Sequence, residues 1–470
     1  MADHLNPQAP GTRARPLGGT EYNWCKAVPT GTGITALVLL FSKRPDIHLL
    51  ETAFHNLQNA HPILRSKLHY DTTTNSFSFL TPSIPNLRIQ LFDLTSTTHI
   101  LQDPTNNNMH SNQCQAVLEH ELNKAGTWLD PNNPSDLLHV SVYTLSDMQW
   151  AMALRLHTSA CDRASAVTLL RDLLEITGRN GDGIEMGCEK KVEVSLGIEE
   201  LIPSGKANKP FWARGVDLLG YSLNAFRLSN LNFVETSSPR RSQVVRLQMN
   251  QNDTQRLLAG CKSQGIKLCG ALAAAGLIAA RASKHLPDQH IEKYAVVTLM
   301  DCRSILDPVL SSHHLGFYHS AILNTHDIVG GENLWELARR CYLSFSNAKN
   351  SNKHFTDMSD LNFLMCKAID NPALTPSSSM RTAFVSVFED PVIDEPKETH
   401  QVLGVEDYMG CASVHGVGPS IAIFDTVRDG RLDCACVYPS PLHSREQIQN
   451  LIDDMGTIIV EACNRMENGS

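Results

Sequence analysis

The stretch QWAMALRLHTSACDRAS, Gln149–Ser165, joins an apolar run to a polar turn and then to a second apolar run. Alternation along its first nine residues predicts a strand, with His157 and Thr158 on opposite faces. Short polar side chains at the turn stand at the end of a sheet, where ligand sites often form. Asp162 can cap the next helix or bind an arginine, and His157 can act as a general base. A lone histidine at a strand end is more often structural, so the residues alone nominate a site without defining its chemistry.

The length and charge of the chain limit what it can be. At 470 residues it is too long for one core of ordinary size, so we expect two domains of about 200 residues each. Its composition, 42% hydrophobic and 19% charged, is that of a globular protein. The formal net charge is −9 at pH 7, and no basic block is present to neutralise phosphates. These features argue against a nucleic-acid partner.

The cysteines and the apolar runs indicate where the chain works. Thirteen cysteines are scattered without a CxxC pair, and Cys434 with Cys436 alone does not make a zinc site. We therefore expect no metal, and reduced, buried thiols, which indicate a reducing compartment when no secretory signal is present. The nine-residue run Gly33–Phe41 is too short to cross a bilayer. The sequence predicts a cytoplasmic protein with no membrane partner.

Similar elements recur in the two halves of the chain. Gly33–Phe41 predicts a buried strand, and Asp46 can cap the amphipathic helix that follows and that Pro62 ends. The Gly-, Lys- and Glu-rich stretch 178–209 has the composition of a linker, and a helix is expected over Phe211–Phe233. The prediction is an α/β protein with an N-terminal half at 1–205, which carries the HTSACD turn, and a C-terminal half at 206–470.

A strand ending in histidine, then a turn with aspartate, then a helix with an early serine, resembles the active-site motif of the CoA-dependent acyltransferase superfamily. That superfamily includes the plant BAHD acyltransferases, the condensation domains of peptide synthetases and polyketide-associated acyltransferases. Five further segments resemble it in the same order along the chain. They are RPLGGTEYNW (Arg15–Trp24), LLETAFHNLQNAHPILRSKL (Leu49–Leu68), GIKLCGALAAAGLIAARA (Gly265–Ala282), LMDCRSILDPVLSSHHLGFYHSAIL (Leu299–Leu323) and DGRLDCACVYPSPLHSREQIQNLIDDM (Asp429–Met455).

The resemblance implies a fold and a reaction. The fold is the two-domain, chloramphenicol-acetyltransferase-like α/β fold, with an active-site tunnel at the interface of the halves. The reaction is transfer of an acyl group from acyl-CoA to a hydroxyl or amine of a small-molecule, specialised metabolite. A CoA thioester would be a co-substrate, and no tightly bound cofactor or metal is implied. The sequence texture is plant-like, and we expect a monomer.

The motif departs from the superfamily at the residue that matters most. In the superfamily a histidine accepts the proton of the acceptor, and an aspartate four residues later holds the loop, usually through a salt bridge. Aligned on Asp162, the catalytic position is Thr158, whose hydroxyl has no usable pKa for a base. The glycine after the aspartate is Arg163 here. The Asp-Phe-Gly-Trp-Gly signature of the plant members keeps only its two glycines in HGVGPS, His415–Ser420.

The resemblance assigns candidate roles to eleven residues. The catalytic candidates are His157, Thr158, Asp162 and His319. The substrate-binding candidates are Ser159, Arg163, Tyr318, Ser320 and His415. The structural candidates are Arg303 and Gly316.

Four interpretations of the missing histidine stay open. His157 takes over as the base after a shift of the loop, or another histidine does so, with His319, His313, His314 and His415 as the candidates. Alternatively, a neutral amine acceptor needs no strong base, and Thr158 only orients it. In the fourth interpretation acyl transfer is lost, and the chain is a binding protein or catalyses a condensation or cyclisation in the same tunnel.

Overall fold

Two α/β halves, each built on a mixed sheet with packed helices, form the fold that the sequence predicts. The computed structural model describes residues 12–102, 112–124, 128, 134–178, 194–210, 215, 228–394 and 398–468.

The strands and helices have these bounds. The strands are β1 (Arg13–Pro16), β2 (Thr32–Phe41), β3 (Lys67–Asp71), β4 (Ser76–Thr81), β5 (Ile89–Phe92), β6 (Ser135–Asp136), β7 (Leu138–Ser146), β8 (Gln149–His157), β9 (Arg241–Gln248), β10 (Glu292–Asp301), β11 (His319–Ile328), β12 (Arg381–Phe388), β13 (Val392–Asp394), β14 (Val405–Val414), β15 (Gly418–Arg428) and β16 (Arg431–Ser440). The helices are α1 (Gly19–Ala27), α2 (Ile47–Ala60), α3 (Leu94–Leu101), α4 (Gln113–Leu122), α5 (Arg163–Gly178), α6 (Gln251–Ser263), α7 (Leu268–Ala282), α8 (Leu334–Asn350), α9 (Lys353–Thr356), α10 (Met358–Asp370), α11 (Glu398–Leu403) and α12 (Arg445–Asn468).

The first half is built on a five-stranded sheet in the order β14-β2-β8-β7-β5, beside a small sheet in the order β1-β4-β3-β6. Every residue of β2 is buried, as its run of apolar and β-branched residues predicts. The β2–β8 pair is antiparallel and places Ile34 opposite His157. The side chain of Asp46 accepts a hydrogen bond from the Leu49 amide, which confirms the predicted cap of α2. The apolar faces of α2 and α5 cover this sheet.

Strand β14 comes from the second half of the chain and completes the sheet of the first. It pairs antiparallel with β2, with Gly410 opposite Leu37. The sequence did not predict this strand. A glycine at its middle lowers its β propensity. A Cβ on Gly410 would lie 2.3 Å from Cδ2 of Leu37, so glycine lets the two strands approach closely. The domain boundary at residues 205/206 stays a prediction. Strand β14 comes after this boundary in the chain, but it pairs with β2, which comes before it.

The second half is built on a larger sheet in the order β11-β10-β12-β15-β16-β9, with β13 added beside β15. The Ala-rich helix α7 is buried along almost its whole length, and α12 packs against it in the same core. Small side chains allow this close helix packing. No single described helix is long and apolar enough to cross a membrane. Helices α6 and α7 have the length and composition only when taken together, and the chain bends by 105° between them.

Parts of two predicted segments lie outside the described residues. Of the predicted linker, 179–193 lie outside, and the described remainder contains one short 3-10 turn, Ile198–Leu201. Most of the helix predicted over Phe211–Phe233 also lies outside, and residues 228–233 are not helical. No disulfide links the described cysteines, and all of them except Cys366 are buried.

The loop after β14 offers a direct test of its packing. A Cβ on Gly416 would lie 2.6 Å from the Thr30 carbonyl oxygen, whereas one on Gly418 would meet only a methyl carbon of Thr32, at 3.9 Å. We expect Gly416→Ala to lower the free energy of unfolding by about 1–3 kcal/mol, because backbone must move. The matched control, Gly418→Ala, should change it by less than about 0.5 kcal/mol. Urea denaturation measures both, and equal effects would contradict this packing of the loop.

Candidate active site

The turn that follows β8 is built by its own backbone and by Asp162. Residues Thr158–Ala160 form a 3-10 turn, in which the Cys161 amide donates to the Thr158 carbonyl at 3.1 Å. Oδ1 of Asp162 then accepts a hydrogen bond from the Ser165 amide at 2.8 Å and so caps α5. The HTSACD segment therefore turns the chain from strand to helix and fixes Thr158 and Asp162 at the interface of the halves.

Asp162 is a buried carboxylate whose main partners come from the second half. Its Oδ2 lies 2.9 Å from Nη1 of Arg303, and Nη2 of Arg303 donates to Oδ1 at 3.0 Å. The Tyr318 amide also donates to Oδ2, at 2.8 Å. Burial alone would raise the pKa of Asp162, but Arg303 and His319 hold it well below its usual value. The carboxylate is thus a fixed anion that joins the two halves through Arg303.

His319, the first residue of β11, lies beside this carboxylate. Its Nδ1 is 3.0 Å from Oδ2 of Asp162, in a charge contact that is not a linear hydrogen bond. The ring lines the cavity between the halves, and among the described residues no hydrogen bond reaches Nε2. A carboxylate beside Nδ1 favours the tautomer with its proton there and leaves Nε2 as an acceptor. The imidazole therefore has one nitrogen beside a buried carboxylate and lines the cavity.

The space beside His319 is a cavity of about 450 Å³ between the two halves, called here the interface cavity. Thr158 lines it, and the Thr158 hydroxyl lies 2.8 Å from the hydroxyl of Thr35 on β2. Gly33 has a φ of +94°, and a Cβ there would lie 2.7 Å from the Trp24 ring and 3.4 Å from Cβ of Thr158. The positive φ and the short distance to Trp24 both require glycine at this position, and glycine lets β2 lie close to the turn.

His157 does not reach the interface cavity. It is fully buried, and its Nδ1 accepts a hydrogen bond from the Ser159 amide at 3.2 Å and lies 2.7 Å from the Ser159 hydroxyl. The edge of the Trp128 ring packs against the imidazole, with 5.3 Å between ring centres. Burial lowers the pKa of His157 to about 3. Ser159, a substrate-binding candidate, thus holds His157 inside the protein and contacts no open space itself.

The other predicted histidines also lie away from the described lining of the interface cavity. Nδ1 of His415 lies 3.0 Å from the Ser242 hydroxyl, and burial together with Arg381 lowers the pKa of His415 to about 4. Nδ1 of His314 lies 3.0 Å from the Ser311 hydroxyl, at an exposed loop. The side chain of His313 is 59% exposed.

The remaining predicted residues surround Asp162. Ser320 lines the interface cavity, and its hydroxyl donates to the His354 carbonyl. Tyr318 is buried behind the wall, where the guanidinium of Arg303 lies 4.9 Å over its ring. The Gly316 carbonyl accepts from the Asp162 amide at 3.1 Å. These contacts hold the segment before β11 against the start of α5.

Arg163 crosses from α5 into the sheet of the second half. Its guanidinium lies 4.2 Å over the Phe388 ring, where β12 ends, and it donates to the carbonyl of Asp390 at 3.1 Å. Nη2 also lies 3.0 Å from Oδ1 of Asp425 on β15 and donates to the Asp425 carbonyl. Asp162 and Arg163 therefore make two consecutive, oppositely charged links between the halves.

The site also contains residues that the sequence did not nominate. Helix α10 forms one wall through Met358, Leu361 and Met365, and α1 contributes Asn23 and Trp24. The spacing of the apolar residues in α10 was a detectable signal for an amphipathic helix. Nothing local distinguishes the two α1 residues, because their position depends on contacts between distant parts of the chain.

Asp162, Asp301 and His319 bring three potential metal-ligand atoms within 4.8 Å of one another. Arg303 lies 2.9 Å from a carboxylate oxygen of each aspartate. This guanidinium supplies the charge that a cation would bring, so the cluster does not fit a metal ion well.

Comparison with known proteins identifies the fold. No protein-family model and no curated protein matches the sequence. Among solved structures, the chain is similar to the TRI3 trichothecene 15-O-acetyltransferase from Fusarium sporotrichioides, with a TM-score of 0.70 and 13% identity over 97% of this chain and 96% of that chain. It is also similar to the EpoB cyclization-docking bidomain from Sorangium cellulosum, with a TM-score of 0.67 and 15% identity over 96% of this chain and 85% of that chain. A third similar structure is polyketide synthase associated protein 5 from Mycobacterium tuberculosis, with a TM-score of 0.65 and 16% identity over 96% of this chain and 98% of that chain. The chain thus shares the two-domain α/β fold of these structures, which is the fold that the sequence resemblance predicted.

Loss of Arg303 should unfold the site. We expect Arg303→Met to lower the free energy of unfolding at pH 7 by about 3–5 kcal/mol, because it leaves the Asp162 carboxylate buried without its cation. Arg465→Met removes a 75%-exposed arginine that pairs with Glu461, and should cost less than about 1 kcal/mol. Urea denaturation compares them, and equal costs would contradict the assigned role of Arg303.

The pH dependence of stability provides a second test of the same carboxylate. The pKa of Asp162 is depressed in the folded protein, so its contribution is complete above the unfolded pKa of about 3.9 and is lost as the pH falls toward the folded value. We expect the stability of the native protein to fall more steeply below pH 4 than that of Asp162→Asn. Parallel acid-denaturation curves would contradict this.

Proposed function

We propose that the protein transfers an acyl group from a thioester to a hydroxyl or amine of a small molecule in the interface cavity, with His319 as the general base. The observation that carries the proposal is the Asp162–His319 pair, whose Nδ1 side faces a buried carboxylate and whose Nε2 side faces the cavity. The similarity of the fold to an acetyltransferase supports the reaction class. An acyl-CoA is the proposed donor, in line with the sequence resemblance.

The reaction can be written with all atoms balanced. Nε2 of His319 takes the proton of the acceptor O–H or N–H as its oxygen or nitrogen bonds to the thioester carbonyl carbon. The C–S bond then breaks, and the leaving thiolate takes the proton back from His319. Asp162 stays ionised and stabilises the imidazolium that forms between the two steps. Each turnover therefore returns His319 to its neutral state.

Thr158 has a different role in this proposal from that of the histidine it replaces. Its hydroxyl and that of Thr35 contact each other at the wall of the interface cavity. A hydroxyl can donate and accept hydrogen bonds, so this pair can orient the acceptor without taking its proton. Proximity to the thioester would then supply part of the rate.

A second candidate function is a condensation or cyclisation that needs little base catalysis, or binding without turnover. It is favoured by Thr158 itself, which stands where the superfamily has its histidine, and by the similarity of the fold to a cyclization domain. An amine acceptor suits this alternative, because a neutral amine is already nucleophilic. That the chain acts as a monomer in the cytoplasm stays a prediction from the sequence.

Replacement of His319 tests the proposed base. Mass spectrometry of the protein with a panel of acyl-CoA donors and a metabolite extract would first identify a turnover. We expect His319→Gln to lower kcat by about 10²-fold or more, as loss of a general base does. His326→Gln is the matched control, because His326 is a buried histidine of β11 outside the described lining of the interface cavity, and it should keep kcat within about twofold. A normal kcat in folded His319→Gln would exclude His319 as the base.

Thr158→His distinguishes acyl transfer from the second candidate function. If the native protein transfers acyl groups through His319, a histidine introduced at 158 should restore at least part of the activity lost in His319→Gln, since both positions line one cavity. Activity in Thr158→His together with none in the native protein would show that the native chain is not an ordinary acyltransferase.

A further inference from the structure

One wall of the interface cavity is a helix that presents thioether and aliphatic groups. Met358, Leu361, Met365 and Ala368 of α10 line the cavity. Leu37, Leu170 and Phe388 face it from β2, α5 and β12. Methionine is unbranched and polarizable, so it adapts to apolar ligands of irregular shape. The walls are thus suited to an apolar body.

The charged groups at the walls are already occupied by protein partners. Asp162 is held by Arg303, and Arg163 by Asp425. Lys367 is exposed, and its ammonium lies 5.4 Å over the outward-facing ring of Phe363. Every carboxylate in the described lining therefore already has a cation of the protein beside it, so a ligand finds no free carboxylate there.

Arg381, like Lys367, is a charged lining residue whose described partners are all neutral. Its guanidinium donates to the carbonyls of Ser379, Val414, Pro419 and Gly416, and the residue is 2% exposed. These four hydrogen bonds use most of its five N–H donors. The guanidinium thus fixes the loop after β14 and presents almost no surface to a ligand, although its charge is not neutralised.

The neutral polar groups at the walls are mostly occupied as well. The Asn23 amide donates to the Asn362 side-chain carbonyl at 3.3 Å, and the hydroxyls of Thr158 and Thr35 contact each other. Nε1 of Trp24 and Oγ1 of Thr32 have no described partner, but both atoms are enclosed by protein. Nε2 of His319 and the hydroxyls of Thr382, Ser386 and Thr426 line the cavity without a described hydrogen-bond partner, which suits a small number of hydroxyl or amine groups on an otherwise apolar molecule.

We infer that the interface cavity binds an uncharged, apolar substrate body. This inference rests on the proposed function only for calling the ligand a substrate. A cationic ligand would lose its hydration without gaining a free carboxylate from the walls. An anionic ligand would find only Arg381, whose N–H groups are mostly used by backbone carbonyls, and Lys367, which is exposed to solvent. The apolar body can be the acyl chain of the donor or the carbon skeleton of the acceptor. The same chemistry serves both.

Binding of three eight-carbon probes tests the charge preference without any turnover. Titration calorimetry with 1-octanol, octanoate and octylammonium at pH 7.5 compares ligands that differ mainly in their head groups. We expect 1-octanol to bind at least tenfold more tightly than either ion. Octanoate binding as tightly as 1-octanol, or more tightly, would overturn the inference and indicate Arg381 or Lys367 as an anion partner.

A pair of variants on α10 locates the binding. Leu361→Asp places a carboxylate on the face toward the cavity, and Phe363→Asp places one on the same helix at a side chain that is 50% exposed. We expect Leu361→Asp to weaken 1-octanol binding at least tenfold and Phe363→Asp by less than twofold, with thermal unfolding used to confirm that both fold. Equal losses in two folded variants would place the octanol elsewhere and overturn the inference.

The source of the apolar body is resolved by the reaction itself. With native protein, an octanoyl-CoA donor favoured over acetyl-CoA at a fixed acceptor assigns the cavity to the acyl chain, and a preference among acceptors at fixed acetyl-CoA assigns it to the acceptor. Octanol binding without any acyl transfer would contradict the proposed function and leave the apolar site standing. Acyl transfer between small polar substrates with no octanol binding would support the proposed function and overturn the apolar site.

Discussion

The carboxylate of Asp162 is the constraint on which the interface depends. It is almost fully buried, it comes from the end of a strand in the first half, and it is compensated by Arg303 and the Tyr318 amide from the second half. A buried charge without such partners is unstable, so the turn after β8 and the segment before β11 must meet in one arrangement. The adjacent link from Arg163 to Asp425 opposes any sliding of the halves, because the two links have opposite polarity.

The same carboxylate explains why an imidazole lies at the site although Thr158 stands where the superfamily motif has its histidine. In the superfamily motif the base belongs to the turn, and the aspartate holds the loop. Here Asp162 still holds the loop, and its Oδ2 also lies beside Nδ1 of His319. The imidazole beside this carboxylate belongs to the first residue of β11 in the second half, not to the strand end of the first. The interface cavity therefore has an oriented histidine on the wall formed by the second half.

The sequence was informative wherever local chemistry decides the structure. The cap at Asp46, the buried strand β2 and the strand-to-helix turn at Thr158–Asp162 all follow from short patterns, and the resemblance led to Arg303. Strand β14 was missed because Gly410 weakens its pattern, although that glycine is what lets it approach Leu37.

The residues that only long-range contacts bring together could not be predicted. His319 was one of five candidate histidines, and its place beside Asp162 depends on how the segment before β11 meets the turn before α5. The exclusion of His157 was closer to prediction, because alternation puts it on the opposite face of β8 from Thr158. Its burial under Trp128 required the fold itself.

The ring nitrogens of His319 report most directly on the proposed site. Histidine-selective ¹⁵N labelling, with the His319 signals assigned by their loss in His319→Gln, gives the tautomer and its response to a cavity ligand by NMR. We expect the neutral ring to carry its proton on Nδ1, beside Asp162, and the Nε2 signal to shift when 1-octanol is added. A proton on Nε2 in the neutral ring, with no change on adding the ligand, would contradict the assignment of His319 as the base of this cavity.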